Sequence, residues 1–409
     1  MCKQLHALGS LRSVPLILAY VAFPLGDMTQ RALGLNPFRS WIDAAWLFLC
    51  YFALCKFALT MGRPLHFPRL PLAVWIALPI ALSLAFVSFG HIPMVPYAME
   101  IKPLFYVLTA WLWAITFGIP SKRAFVRAGL ALSALIGAEL VIGSIAQRTL
   151  ARPVGSGEIN YDACLIVLSL CAALSDPDCA GTSSLLLFCG VLATFSRTGG
   201  MVALAVLLVT RRVPKVLKLG AFGASFTVSI VSFLIRDLQL DINQVDRYLM
   251  WQSALEMFRS NPGSLVWGFG VGAALPTISS QGLADLWATQ AEKIDVSGIY
   301  AFQYHALWLR LLISWGGIIT GMLLLTLLAW ILQRKSQLAR FLAIVILLEG
   351  LSMGVIYLSN VGVVVWLLII LAQTEVHPSC LFAVRKVGPK AYPATRPTMQ
   401  SPLGVGNIP

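Results

Sequence analysis

Apolar runs of membrane-spanning length recur from residue 13 to residue 374, and no other feature limits the fold as much. A helix of about 20 apolar residues crosses the hydrocarbon core of a bilayer while satisfying its own backbone hydrogen bonds. Run length places about twelve spans, at 13–33, 41–61, 71–90, 97–119, 124–146, 160–175, 182–195, 199–210, 216–235, 304–332, 338–357 and 359–374. The breaks between them are turn-like or charged. Only 11% of the residues carry charge, against about a quarter in a soluble domain. The expected fold is an all-α integral membrane protein, one helical bundle over residues 1–409 with no separate soluble domain. No internal repeat is visible, so nothing points to the duplicated halves common in transporters.

Orientation follows from the basic residues. The net charge of +13 is spread over the short loops, which suits a membrane and does not suggest nucleic acid. With the N-terminus inside, most Lys and Arg fall inside, as the charge rule expects. They include Arg63, Arg69, Lys122, Arg123, Arg127, Arg211, Arg212, Lys215, Lys218, Arg334, Lys335, Arg385 and Lys386. Asp176-Pro177-Asp178 is a local acidic exception. The first run, VPLILAYVAFPLG after Lys3 and Arg12, looks like a signal sequence. No small-residue cleavage site follows it, so it reads as a retained anchor. This threading makes 236–303 a large outer loop and 375–409 a disordered cytoplasmic tail.

Between two of the runs stands ATFSRTGGM, residues 193–201. One long helix through it would bury Arg197 near its middle and put Arg211, Arg212, Lys215 and Lys218 outside. The charge rule disfavours that, and Gly199-Gly200 suits a break better than a helix interior. Two short helices meeting at an outward turn are expected. Both are shorter than a full crossing, so the turn is sunk toward the membrane. A cation there is costly unless an anion compensates it, and the N–H groups opening the second helix favour the same anion. The other reading is an arginine that snorkels to the outer interface.

The outer loop contains DRYLMWQSALEMFRSNPGSLVWGFGVG. Residues 246–259 read as an amphipathic helix with Arg247, Trp251, Leu255 and Phe258 near one face. Asn261-Pro262-Gly263 ends it, and Gly268 and Gly270 allow tight turns. Gly-x-Gly-x-Gly alone is weak evidence for a phosphate nest, and no Gly-Lys-Ser/Thr follows to make an ATP loop. The competing reading is an interfacial helix anchored by Trp251 and Trp267. His305 opens the next run and is either a proton acceptor for a hydroxyl or a hydrogen-bonded helix-start residue. Arg310 follows it into the membrane, where ionisable residues are functional candidates by default. The cysteines show no metal-ligand spacing, the histidines do not cluster, and no metal site is read.

Three features in this order carry a resemblance. They are the Ser-Arg-Thr-Gly turn between spans, the outer loop with Arg-x-x-x-Trp and a Pro-Gly segment leading to Gly-x-Gly, and the His before Gly-Gly. The chain resembles the O-antigen ligase and O-antigen polymerase superfamily of bacterial envelope enzymes, by motif over residues 150–335. The stretch Arg152-Pro153-Val154-Gly155 through Asn160 also resembles the family's outer loop before the sixth span. The resemblance implies an inverting glycosyl transfer that needs no metal or other cofactor, on the outer, periplasmic face of the inner membrane. The donor it implies is a glycan on undecaprenyl diphosphate; the acceptor is another lipid-linked repeat unit or lipid A–core. Arg197 and Arg247 would bind the diphosphate, and His305 would be general base or orient the acceptor. The family usually has Asn after this His, where this chain has Ala306. Arg310, Arg152, Tyr248, Trp251, Gly268 and Gly270 join the substrate-binding candidates, the two aromatics by stacking on sugar rings. Asp237, Asp241, Asp246 and Glu256 are alternative bases. The reading reached is a repeat-unit polymerase, with the ligase as alternative and a polysaccharide or lipid transporter as the reading from another class. Flippase and chain-length regulator proteins are the implied protein partners.

Overall fold

A computed structural model describes residues 11–34, 40–59, 93–155, 158–179, 181–235, 246–276, 298–333 and 336–376. The first helix, α1, runs through Val14–Ile17, a π-helical turn at Leu18–Ala22, and Phe23–Ala32. Then come α2 (Ser40–Leu59), α3 (Met94–Phe117), α4 (Lys122–Gln147), α5 (Ile159–Ser175), α6 (Thr182–Ala193), α7 (Arg197–Val209) and α8 (Lys215–Ile235). The loop helices α9 (Asp246–Ser260) and α10 (Pro262–Trp267) follow. The last three are α11 (Leu307–Leu332), α12 (Gln337–Glu349) and α13 (Gly362–Val376). Among the described residues there is no β-strand, only a bridge between Ala274 and Tyr300. Five helices, α2, α3, α4, α8 and α11, are long and apolar enough to cross a membrane. The chain is an all-α protein built for a membrane.

The expected spans fall on these helices to within a few residues, because apolar run length sets helix length in lipid. The span 71–90, most of the tail, Asp237 and Asp241 lie outside the described residues. Glu375 is not tail: it lies in the last turn of α13, where it pairs with Lys122 and accepts from Ser336. The run 338–357 is not one helix. It stops at Glu349, and residues 350–361 form an irregular connection with a 3-10 turn at Val355–Tyr357. Hydropathy does not see this break, because Leu351, Met353, Val355 and Ile356 are as apolar as a helix would be. The backbone is taken up by tertiary bonds instead: Leu307 N donates to Met353 O and Trp308 N to Gly350 O.

The centre of the bundle is α5. Nearly every residue from Ile159 to Ser175 is buried, as expected of a helix that is apolar all round. Tyr20 of α1 donates its hydroxyl to Leu165 O and accepts from Ser169, fixing α1 against it. Gly129 of α4 meets Ser169 so closely that a Cβ would stand 2.3 Å from the serine Cβ. Small residues at such contacts are how membrane helices approach each other. The outward side of α8 shows Val216, Leu219, Phe222 and Phe226 exposed, a surface for lipid.

Basic residues gather at one end of the bundle. Arg12 donates to Phe117 O at 2.9 Å and Arg212 to Leu174 O at 3.0 Å. Arg123 pairs with Asp178 at 2.5 Å, so the acidic exception in the charge pattern serves to neutralise a neighbouring arginine. The Arg197 turn, His305 and the start of α3 lie at the opposite end. By the charge rule this basic end is the one expected on the cytoplasmic side. A cysteine introduced at Pro214 should therefore be shielded from an impermeant thiol reagent in intact spheroplasts, while cysteines at Ser279 and Gln290 should react. The reverse labelling pattern would overturn the orientation.

Candidate functional site

A polar chamber of about 280 Å³ sits at the end opposite the basic cluster. Glu158 and Tyr161 come from the start of α5, Tyr304 and His305 from the approach to α11, Arg310 from α11 itself, and Ser352 from the break after α12. Two sequence candidates, His305 and Arg310, are thus brought together. His305 is exposed and Tyr304 buried. Burial pushes the Tyr304 phenol up to about 12, against a smaller pull from its bond with Ser253, so it remains a neutral hydroxyl. That 3.2 Å contact between the two hydroxyls also ties α9 to the chamber wall.

Arg310 is buried among partners that fix it on three sides. Its Nε donates to Glu100 Oε1 at 2.9 Å and its Nη2 to Met99 O at 2.6 Å. Its guanidinium carbon lies 3.7 Å from the centre of the Tyr357 ring, within cation–π range. The other oxygen of Glu100 accepts from Ser314 at 2.9 Å, and Tyr357 accepts from Trp315 Nε1 at 3.1 Å. Glu100 is fully buried. A carboxylate and a guanidinium inside a membrane bundle neutralise each other, which is the arrangement such residues require.

Beneath this pair lies an apolar groove between α3 and α11, floored by α12 and α13. It is about 210 Å³, and runs from Glu100, Tyr357 and Trp315 down to Trp330 and Gln373 near the basic end. Along α11 its lining is Leu311 and Trp315 before the break at Gly316, and Ile319, Leu323, Thr326, Leu327 and Trp330 after it, the latter at spacings that share one helical face. The two helices share little direct packing along it, and Arg310 with Glu100 bridges them at its head.

The Arg197 stretch is broken as expected, but at residues 194–196; Gly199 and Gly200 lie within the first turn of α7, where a Cβ on Gly199 would stand 2.8 Å from the Ala163 Cβ. α6 ends at Ala193, Phe195 takes a left-handed φ of 51°, and α7 begins at Arg197. Ser196 caps α7 by accepting from Gly199 N, and its hydroxyl donates to Asn160 at 2.9 Å. Ser232 of α8 donates to Phe195 O. Arg197 is half-buried and does not line the chamber, but its turn is fastened to Asn160, whose neighbours Glu158 and Tyr161 do. Arg152 is half-buried in a segment held by Glu139, which accepts from Val154 N and Gly155 N at 3.0 Å each.

Within the expected loop, α9 forms over the expected residues. Its packed face is Met250, Ser253, Ala254, Met257 and Phe258, against Tyr304, Leu309 and Ile313. Phe258 therefore belongs to this face, in contact with Phe269, and not with Trp251 and Leu255, which are exposed. Tyr248 is exposed beside Trp251, and Glu256 bonds Gln252 on the same helix. The side chains of Asp246 and Arg247 lie outside the described residues, though both open α9. Gly268 and Gly270 have positive φ, 78° and 107°. Gly268 is used for a close approach: a Cβ would stand 2.7 Å from Ser314 O and 2.8 Å from Gly316 N. Facing it, Gly316 breaks α11 with φ 76°, and a Cβ there would stand 2.3 Å from Val266 O. Phe269 N donates to Ile313 O across this contact.

Sequence reading passed over Glu100, Glu158 and Tyr357. A lone acid inside an apolar run was the available signal for Glu100, since such residues mark sites by default. No family model, characterised protein or solved structure matches this chain.

Proposed function

We propose that this protein is a glycosyltransferase whose donor is a glycan on undecaprenyl diphosphate, and that it joins repeat units into a polymer at the outer face of the inner membrane. One observation carries the reading: an apolar groove runs up to Glu100 and Tyr357, and a polar chamber holding Arg310 and His305 lies on the other side of the Glu100–Arg310 pair. That is the shape of an amphiphile with a long chain and a charged, sugar-bearing end. The motif order that resembles the O-antigen polymerase and ligase superfamily supports the same reading.

The chemistry is an inverting displacement. An acceptor hydroxyl attacks the anomeric carbon of the donor, the bond from that carbon to the diphosphate oxygen breaks, and the lipid diphosphate leaves with the electron pair. The hydroxyl proton passes to a base, His305 in the chamber or the carboxylate of Glu158 beside it. Charge growing on the diphosphate is met by guanidinium groups, which grip phosphate oxygens at two points. Arg197 and Arg247 fill that role, with Tyr248 and Trp251 toward the sugars. An acceptor on lipid A–core would use the same chemistry, which makes the ligase the alternative.

Diphosphate is already a good leaving group, and two arginines replace a metal. Purified protein should therefore transfer glycan from the diphosphate lipid in EDTA and without nucleotide. The check is product formation on a gel of lipid-linked or ligated glycans. Transfer that depends on added Mg²⁺ or Mn²⁺ would count against arginine-based phosphate binding.

A further inference from the structure

A buried ion pair is often no more stabilising than apolar side chains of the same volume, so packing alone does not account for Glu100 and Arg310. Their surroundings do. A guanidinium has more than one edge able to hold an oxyanion at two points. In Arg310 the Nε–Nη2 edge is occupied, by Glu100 Oε1 and by Met99 O. One flat face is covered by Tyr357, itself held by Trp315. Glu100 is held in turn by Ser314. The edge formed by Nη1 and Nη2 is left, on a side chain that lines the polar chamber.

We propose that this edge binds the phosphate of a lipid whose chain lies in the groove, and that Glu100 is the positioning residue that aims it. Along α11 the groove is lined on both sides of the Gly316 break, by Leu311 and Trp315 before it and by Ile319 to Trp330 after it, with Thr326 the one polar residue of that wall, which suits one extended prenyl chain. The charged residue of the groove lining is Glu100 at its head, paired with Arg310, so the chain lies with its phosphate at the Arg310 end. This rests on the lipid-donor reading above and adds to it a phosphate contact apart from Arg197, together with the path of the chain.

The test is binding to the purified protein in detergent, with three probes: decaprenyl diphosphate, decaprenol and inorganic diphosphate. The diphosphate lipid should bind at least tenfold tighter than the alcohol, and inorganic diphosphate should not compete with it. Arg310→Lys and Glu100→Gln should each weaken the diphosphate lipid at least fivefold and leave decaprenol unchanged, a selective loss that a purely structural role would not produce. Leu323→Trp, filling the groove, should weaken both lipids. If either polar variant fails to fold, the probe series on wild type and Leu323→Trp still decide. Equal binding of lipid and alcohol, competition by inorganic diphosphate alone, or indifference to Leu323→Trp would overturn the proposal. Selective lipid binding of this pattern in a protein that transfers no glycan would uphold the site and sink the transferase reading instead.

Discussion

Arg310→Ala should cost the protein about 3–5 kcal/mol of stability, because it strands a buried charge. Glu100 is fully buried and accepts from Arg310 Nε and Ser314 Oγ, with the Tyr357 hydroxyl as a further partner. Without the guanidinium, only the neutral hydroxyls of Ser314 and Tyr357 are left to hold a buried carboxylate. Met99 O also loses its donor, and the Tyr357 ring its cation. Changing both partners together, Arg310→Met with Glu100→Gln, should recover most of the loss, since no unpaired charge remains. Thermal unfolding in one fixed detergent gives the comparison. A single variant as stable as wild type would show that the pair does not hold α3 to α11. The double variant should stay folded and still lack selectivity for the phosphate-bearing lipid, which separates holding the bundle from holding a ligand.

Arg197→Ala should lower glycan transfer about a hundredfold, on the order of 3 kcal/mol, by removing a charge-assisted contact made mostly in the transition state. The turn itself does not depend on this side chain. Ser196 caps α7, Asn160 holds Ser196, and Ser232 holds Phe195 O. The variant should therefore insert and fold normally. Arg197→Lys should recover little, because an ammonium keeps the charge but loses the planar two-point grip. Arg247→Ala should behave likewise as a separate contact from the loop. His305→Ala should keep donor binding and lose turnover. Turnover and lipid binding measured on all of these variants decide the roles. Near-normal product from Arg197→Ala would return this arginine to a snorkelling role at the interface.

The helices were legible in the sequence because one physical quantity, the length of an apolar run, decides them. The break beside Arg197 was legible from the charge pattern, but not its place: the Gly-Gly pair is helical, and the turn is made by residues 194–196 with Phe195 left-handed. What could not be read is long-range pairing. Arg310 drew attention alone, but Glu100 stands 210 residues away in another span, and nothing local joins them. The break after Glu349 was hidden because its apolar residues satisfy hydropathy while their backbone bonds go to α11. Gly268 looked like part of a phosphate nest, since positive φ is common to both uses. Its partner Gly316 reveals the close approach, and only the fold brings the two together.

That interlock has a consequence for how the protein is made. Residues 262–268 leave the ribosome before residues 307–332. The seat for Gly268 is the opening at Gly316, and it exists only after α11 has been synthesised and threaded into the bilayer. Until then Phe269 has no Ile313 carbonyl to bond, and Ser253 has no Tyr304. The loop helices must wait unpacked, because Leu265 and Val266 have no Gly317 and Gly316 to lie against. The chamber that joins His305 to Arg310 is thus completed late in biogenesis, when a segment already synthesised folds back onto one that has just arrived.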